Sequence, residues 1–248
     1  MYSNRAVSSS AKGATESADP DHPQKHVSLL LEQPFPETKQ FTTDFQLAAF
    51  FRFVPKTSLI ADIGCGYGRT LAELHQNGCT NLVGFDISPA LLRRGRRAYP
   101  CLDLRRMTEG KIPLPDETAD AVILLAVLTC IPSDTKQEEL IREIGRILKP
   151  GGILYVNDFL LNQDERNLAR YEKYKGINGI YGVFQLPEGA ILRHHSEERI
   201  QKLLSPFTPK EYRRLTFKTM NGHTSNGFYA IVGKTENTAL STTLPIRE

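Results

Sequence analysis

Several common sequence signals are missing from this chain. It contains no tryptophan and only three methionines, and its four cysteines form no C-x-x-C pair. Scattered cysteines favour reduced thiols over disulfides or a zinc site. No apolar run is long enough to cross a membrane, and residues 1–27 lack the apolar stretch of a secretory signal. We therefore expect a cytoplasmic protein without a membrane partner.

The net charge is also small. The net charge is +3, which by itself does not indicate nucleic-acid binding, and 40% hydrophobic residues are ordinary for a globular protein. The 248 residues suffice for one domain with insertions. Residues 1–26 have almost no large apolar side chains and are predicted to be a disordered tail. The domain is predicted over 27–234, with a loose tail over 235–248.

One segment is rich in glycine. Ala61–Arg69 reads A-D-I-G-C-G-Y-G-R, follows the apolar residues Leu59 and Ile60, and precedes a helical pattern. A strand, a glycine loop and a helix bring backbone N–H groups and a helix N-terminus together. Alternate glycines let a ligand approach bare backbone. The loop therefore predicts a nucleotide-type ligand without identifying it.

Two residues of the loop narrow the ligand. Asp62 lies two positions before the first glycine, and Arg69 stands where a dinucleotide loop requires its last glycine. A carboxylate repels a pyrophosphate and attracts an ammonium group. S-adenosylmethionine has an ammonium, a sulfonium and no phosphate. The segment Asp62–Gly68 resembles the first motif of the class I S-adenosylmethionine-dependent methyltransferases.

This resemblance implies a fold. It is an α/β Rossmann-like fold with a doubly wound, mostly parallel seven-stranded sheet, and it covers residues 57–160 well and the final hairpin moderately. The turn at Lys149–Gly152, read K-P-G-G, is similar to one common in the family. An insertion is predicted after the fifth strand, over residues 160–195.

The resemblance also assigns cofactor contacts. The backbone of the loop would hold the methionine end, through residues that include Gly64, Cys65, Gly66 and Gly68. Asp86 follows the second strand about twenty residues after the loop, where such folds place a ribose-binding carboxylate.

The adenine contacts are less sharply indicated. Ile87 would pack on the adenine face. The family often has Asp after the third strand, where this chain has Thr108 with Glu109 beside it, so either residue is a candidate for the adenine amine.

The fourth strand is predicted within the apolar run Asp120–Leu128, which is typical of a central strand buried on both faces. Ligands of open α/β sheets bind at the carboxyl ends of strands. Leu125 and Ala126 are therefore candidate cavity walls, although core packing explains their apolarity equally well.

The insertion offers candidates for the acceptor side. It is predicted to be a substrate lid, and its aromatic residues either line a substrate pocket or pack within the insertion. These are Tyr171, Tyr174, Tyr181 and Phe184. At its end, His194 or His195 is a candidate general base, and the alternative for each is a histidine with a structural partner.

We expect methyl transfer from S-adenosylmethionine to O or N of a small or medium-sized acceptor. An RNA (tRNA) methyltransferase is the first alternative, because Arg93, Arg94, Arg96 and Arg97 form a basic helical cluster. A non-catalytic S-adenosylmethionine-binding module is the second. Nicotinamide-dependent hydride transfer is disfavoured by Asp62 and Arg69. No metal site is expected.

Overall fold

The computed structural model describes residues 42–187, 189–219 and 222–236. The predicted disordered tail, residues 1–26, lies outside these ranges, as do residues 237–248 of the predicted loose tail. Among the helices in these ranges, none combines the length and the apolar composition that a membrane span requires.

Seven strands form one sheet in the order β3-β2-β1-β4-β5-β9-β8. Neighbouring strands from β3 to β5 are parallel, whereas β9 runs antiparallel to both β5 and β8. The predicted doubly wound, mostly parallel sheet with a reversed strand is thereby confirmed. The strands are β1 (Ile60–Ile63), β2 (Leu82–Asp86), β3 (Asp103–Arg106), β4 (Ala119–Leu125), β5 (Leu148–Phe159), β8 (Thr208–Lys218) and β9 (Thr224–Gly233), and a separate hairpin is formed by β6 (Val183–Gln185) and β7 (Ile191–Arg193).

The helices begin at residues that suit helix starts. Ser88, Ser133, Asp164 and Ser196 each accept a backbone N–H bond in the first turn of the helix that follows. The helices are α1 (Leu47–Phe50), α2 (Arg69–Gln76), α3 (Pro89–Ala98), α4 (Asp134–Ile147), α5 (Glu165–Asn178) and α6 (Glu197–Leu204), with a 3₁₀ turn at Leu128–Cys130.

The continuous apolar run of β4 is explained by burial on both faces of the sheet. Val122 and Leu124 pack in one core cluster with Ile144 of α4, whereas Ile123 packs in the other with Leu71 of α2 and Tyr155. A strand with a helical layer on each side needs apolar residues at successive positions.

Two elements are shorter than predicted. The apolar pattern of Phe45–Phe53 predicts a helix packed on the sheet, but α1 is a single turn, because the N–H groups of Arg52 and Phe53 donate to carbonyls three residues back. Strand β4 ends at Leu125 because Ala126 has a φ of 55°, a left-handed conformation that no regular strand accommodates.

Candidate functional site

The glycine loop joins β1 to α2 through backbone that only glycine adopts easily. Gly64, Gly66 and Gly68 have φ values of 74°, 58° and 84°. A Cβ at Gly64 would lie 2.5 Å from Cγ2 of Val127, so the loop passes directly against the residues after β4. The N–H groups of Gly64 and Cys65 both donate to the carbonyl of Phe85. The first two glycines thus lie where β1, β2 and β4 end.

A cavity of about 340 Å³ opens at this edge of the sheet. Its volume is in the range of small-molecule sites. The predicted residues on its wall are Asp62, Gly64, Cys65, Gly66, Asp86, Ile87, Glu109, Leu125 and Ala126. Gly68 does not line the cavity; it is the residue from which α2 begins, and its backbone turn is its contribution.

Two buried carboxylates face this cavity. Asp62 is 2% exposed and Asp86 is 6% exposed. Burial, and then the neighbouring Asp86, raise the pKa of Asp62 to about 7, which Arg69 opposes. Burial also raises the pKa of Asp86, against hydrogen bonds from the backbone of Ser88 and Gly66. Two adjacent buried acids favour a ligand that carries positive charge and disfavour a phosphate.

Asp86 shapes the loop as well as the cavity. Its Oδ2 accepts the N–H of Gly66 at 2.8 Å, and its Oδ1 accepts the N–H of Ser88 at 2.7 Å. Each carboxylate oxygen keeps lone-pair capacity beyond the bond it already accepts. The side chain therefore fits a pair of hydroxyl donors such as those of a ribose.

The wall after β3 contains Met107, Glu109 and Gly110 but not Thr108. Thr108 is exposed and forms a local bridge with Lys111. Of the two predicted adenine candidates, Glu109 is thus the one beside the cavity, and the family-based placement of Thr108 is corrected. The reason is the tight turn at Thr108–Lys111, which directs its side chain to solvent.

The loop after β4 forms the opposite wall. Ala126, Val127, Cys130 and Ile131 line the cavity. The N–H of Ala126 donates to the carbonyl of Asn157 at 2.7 Å, which holds the left-handed residue in place. Strained non-glycine backbone of this kind concentrates at functional sites.

This post-β4 loop, residues 126–134, is held from behind by buried polar side chains. Oδ2 of Asp158 accepts the N–H of Thr129 at 3.2 Å, and burial raises the pKa of Asp158 to about 7. The amide nitrogen of Gln137 donates to the carbonyls of Leu128 and Ile131 at 3.2 and 2.8 Å. None of these anchoring side chains lies on the cavity wall.

Arg193 fixes the other end of the same loop. It is 5% exposed, and its guanidinium donates to the carbonyl of Pro132 at 2.8 Å and to Oδ1 of Asp134 at 2.7 Å. The β6–β7 hairpin therefore supports the cavity wall through this loop.

The histidine prediction is not supported by the geometry. His194 and His195 are buried and do not line the cavity. The hydroxyl of Tyr171 lies 2.6 Å from Nδ1 of His194, and Nε2 of His195 lies 2.8 Å from the amide nitrogen of Gln137. Since Gln137 donates there, His195 accepts through Nε2 and directs its Nδ1–H to the carbonyl of Phe159 at 3.3 Å.

The pKa shifts of the two histidines also argue against a role as general base. Burial, and then Arg170, place the pKa of His194 well below its usual value. Burial, and then Arg193, lower that of His195 to about 3. A group with so low a pKa is a weak base at neutral pH. Both histidines are thus structural residues here.

Two aromatic residues of the insertion pack within it, which was one of the two predicted alternatives. Tyr171 and Phe184 are fully buried and pack against His194, with ring centroids 5.9 and 4.8 Å from its ring. Tyr181 is 37% exposed, and neither it nor Tyr174 lines the cavity. The packing alternative therefore holds for the buried aromatics, whereas the lid role of residues 160–195 stays a prediction.

Residues directly before α1 complete the rim of the cavity. A strap, residues 42–46, crosses the carboxyl edge of the sheet. The guanidinium of Arg69 donates to the carbonyl of Thr43, and the side-chain amide of Asn157 donates to that of Asp44 at 2.9 Å. The hydroxyl of Tyr155 accepts the N–H of Gln46. These contacts join residues far apart in the chain, so no local signal predicts them.

The start of α4 supplies the polar part of the rim. Lys136, Glu139 and Leu140 line the cavity, and Nζ of Lys136 lies 2.8 Å from Oε1 of Glu109. The sequence offered one signal for these rim residues. Lys136 and Glu139 are polar positions beside the apolar stripe of an amphipathic helix, and that helix starts at this edge of the sheet.

Comparisons with known proteins indicate a methyltransferase domain. Residues 61–156 match the family model described as "Methyltransferase domain". A tRNA (carboxymethyluridine(34)-5-O)-methyltransferase of Arabidopsis thaliana is 28% identical over 65% of this chain and 39% of its own length. A probable methyltransferase of Aspergillus luteorubrus is 28% identical over 80% of this chain and 72% of its own length. The chain thus spans well under half of the Arabidopsis protein.

A solved structure shows the same fold. A SAM-dependent methyltransferase from Methanosarcina mazei superimposes with a TM-score of 0.73, at 24% identity, over 78% of this chain and 99% of that chain. The sheet order agrees with this likeness. The chain has the fold of the class I S-adenosylmethionine-dependent methyltransferases, and its residues 61–156 match the model of a methyltransferase domain.

Proposed function

We propose that this protein transfers a methyl group from S-adenosylmethionine to O or N of an acceptor. The observation that carries the proposal is the pair of buried carboxylates, Asp62 and Asp86, beside an open glycine loop. Four acidic residues line the cavity, namely Asp62, Asp86, Glu109 and Glu139, against two cations, Arg69 and Lys136, so the lining favours a cationic ligand over a pyrophosphate.

The residues present fit S-adenosylmethionine. Asp62 would face its ammonium group, Asp86 its ribose hydroxyls, and Ile87 and Met107 the adenine ring. When bound, the cofactor supplies a methyl group on a sulfonium, open to in-line attack. Glu109 and Ser88 border the same end of the cavity.

The chain contributes position and exclusion of water. Thr43 of the strap and four residues of the post-β4 loop line the cavity, and walls of this kind restrict the approach of an acceptor. Because neither buried histidine reaches the wall, an acceptor that must lose a proton would find its base among other groups. Glu139 and Glu109 are the carboxylates on the rim.

Cofactor binding is tested at Asp86. We expect Asp86→Asn to weaken S-adenosylmethionine binding about tenfold in titration calorimetry, because a charged acceptor of two hydroxyl bonds becomes neutral. Asp116→Asn, at an exposed acid outside the cavity, is the matched control. Unchanged affinity in a folded Asp86→Asn protein would contradict the ribose assignment.

Transfer itself is tested with isotopically labelled S-adenosylmethionine and separated pools of metabolites, RNA and protein. Incorporation of label into any one pool supports an enzyme and names its acceptor class. Cofactor binding without transfer to any pool would favour the non-catalytic module instead.

A tRNA acceptor is the second candidate. It is supported by the Arabidopsis relative, which is named as a tRNA methyltransferase, and by the arginine cluster of α3.

A further inference from the structure

Positive charge is concentrated in one segment of this chain. Residues 89–111 contain seven Lys or Arg and two Asp or Glu, a net charge of +5. The whole chain has a net charge of +3, so the remainder carries −2. A chain of low net charge thus contains a strongly basic segment, and such asymmetry is typical of a surface that meets a polyanion.

The segment folds into one continuous surface formed by α3 and the edge strand β3. Arg93, Arg96 and Arg97 are exposed on α3 at the spacing that places them on one helical face. Arg96 donates to the carbonyl of Leu104 at 2.6 Å and so ties the helix to the strand. Arg106 alternates with Leu104 and points to the same side of the sheet, where it is exposed.

The one acidic residue of β3, Asp103, lies on the side of the sheet opposite to Arg106. Asp103 forms an ion pair with Arg105 at 2.5 Å, and both side chains alternate away from Leu104. Within the described residues, Arg93 and Arg106 have no carboxylate partner. We call Arg93, Arg96, Arg97 and Arg106 the α3–β3 face.

The α3–β3 face runs to the mouth of the cavity. Ser88 and Leu91, at the start of α3, line the cavity, and so does Met107, directly after β3. A long polyanion bound along this face would therefore pass beside the mouth of the cavity.

The chemistry of the face selects among polyanions. The only large apolar residues exposed in the described ranges are Tyr181 and Tyr212, and both lie on other elements. A membrane-binding helix needs an apolar face, and the core of a protein interface is apolar. A surface of guanidinium groups alone suits phosphodiesters, which they bind through paired N–H donors.

We propose that the α3–β3 face binds the phosphate backbone of an RNA whose target nucleotide enters the cavity. This inference rests on the proposed function for the role of the RNA as acceptor, but the contact itself is independent of methyl transfer. The backbone contacts would position the RNA, and the cavity would select the nucleotide.

The test is fluorescence anisotropy of a labelled tRNA transcript between 50 and 200 mM KCl. We expect Arg93→Ala/Arg97→Ala to bind at least tenfold more weakly than wild type. The slope of log affinity against log salt should fall by about 1.4–1.8, since each lost phosphate contact removes about 0.7–0.9. Lys210→Ala/Arg213→Ala is the matched control: it removes the same charge from exposed positions on β8, at the opposite edge of the sheet, about 30 Å away.

Three results would overturn the proposal: equal weakening in both double variants, unchanged RNA affinity in the α3–β3 variant, or tighter binding to vesicles with 30% phosphatidylserine than to the transcript. S-adenosylmethionine calorimetry on the same proteins separates the two proposals. If the wild-type protein does not bind S-adenosylmethionine, the proposed function is refuted. The RNA-binding result would remain valid in that case.

Discussion

His195 shows how a side chain can shape a binding site without touching it. It is 1% exposed and accepts a hydrogen bond from Gln137, whose amide nitrogen also holds two carbonyls of the post-β4 loop. That nitrogen carries two protons for three acceptors, so one bond is shared. Protonation of His195 would replace the acceptor with a donor and break this arrangement.

A pH dependence of stability follows. The folded state keeps His195 neutral down to about pH 3, whereas an unfolded histidine binds a proton near pH 6.5. Between these values the unfolded state holds the extra proton, so the free energy of unfolding decreases as the pH falls. We expect this decrease to be smaller in His195→Gln by up to about 1.4 kcal/mol per pH unit.

Urea denaturation at pH 6 and pH 5 measures the change in the free energy of unfolding for wild type and for His195→Gln. His194 and the buried acids remain in the variant, so the comparison isolates one histidine. His75→Gln, at an exposed histidine of α2, should leave the wild-type slope in place. If the free energy of unfolding decreases equally between pH 6 and pH 5 in wild type and in His195→Gln, His195 is not the group held neutral.

Single residues also show what a sequence can and cannot predict. Asp62 and Asp86 could be located because each lies at or near the carboxyl end of a strand, at a fixed distance from the glycine loop. Thr108 and the histidines could not be placed, because the direction of a side chain in a turn or insertion depends on packing partners far away in the chain. Arg193 and Gln137 were missed for the same reason.

At the scale of elements, the post-β4 loop is the segment whose shape depends most on others. Its Ala126 is in a strained conformation, and its carbonyls and N–H groups are satisfied by α4, β5 and β7. A loop held by several weak contacts loses order when one of them is removed.

We expect Gln137→Ala to increase amide exchange across residues 128–133 at least tenfold, because two buried carbonyls lose their donor. Exchange in β1 and α2 should change little, since neither contacts the Gln137 amide. Hydrogen–deuterium exchange with mass spectrometry follows both regions. Glu138→Ala, at the neighbouring exposed position of α4, is the control, and an equal effect there would argue against the anchoring role.

The elements themselves were largely predictable. Apolar runs, glycine turns and serine caps are local signals, and they located the strands and most helices. The boundaries that moved were the end of β4, where Ala126 is left-handed, and the end of α1, where the chain continues in turns with bonds three residues back. The insertion was expected as a lid because it is long and lies between a strand and a helix. Burial of Tyr171 and Phe184 shows that these two aromatics serve a small core.

At the scale of the whole molecule, ligand binding should raise thermal stability. A ligand at 100 times its Kd stabilises the folded state by about 2.7 kcal/mol, which corresponds to a Tm increase of roughly 5–10 °C for a domain of this size. We expect S-adenosylmethionine to produce such a shift in differential scanning fluorimetry. NAD at equal concentration should not, because its pyrophosphate would meet two buried acids; a larger shift with NAD would reverse the cofactor assignment.

The anchoring of the post-β4 loop has a consequence for how this enzyme can diversify. On the proposed function, residues 62–91 form the donor half of the cavity, whereas the post-β4 loop takes its shape from Asp158, Gln137, Arg193 and His195. Substitutions in the second group can change which acceptors fit while the affinity for the methyl donor is preserved. A library limited to residues 158–195 should therefore yield variants with new acceptor ranges and an unchanged Kd for S-adenosylmethionine, so that the two halves behave as separately tunable modules.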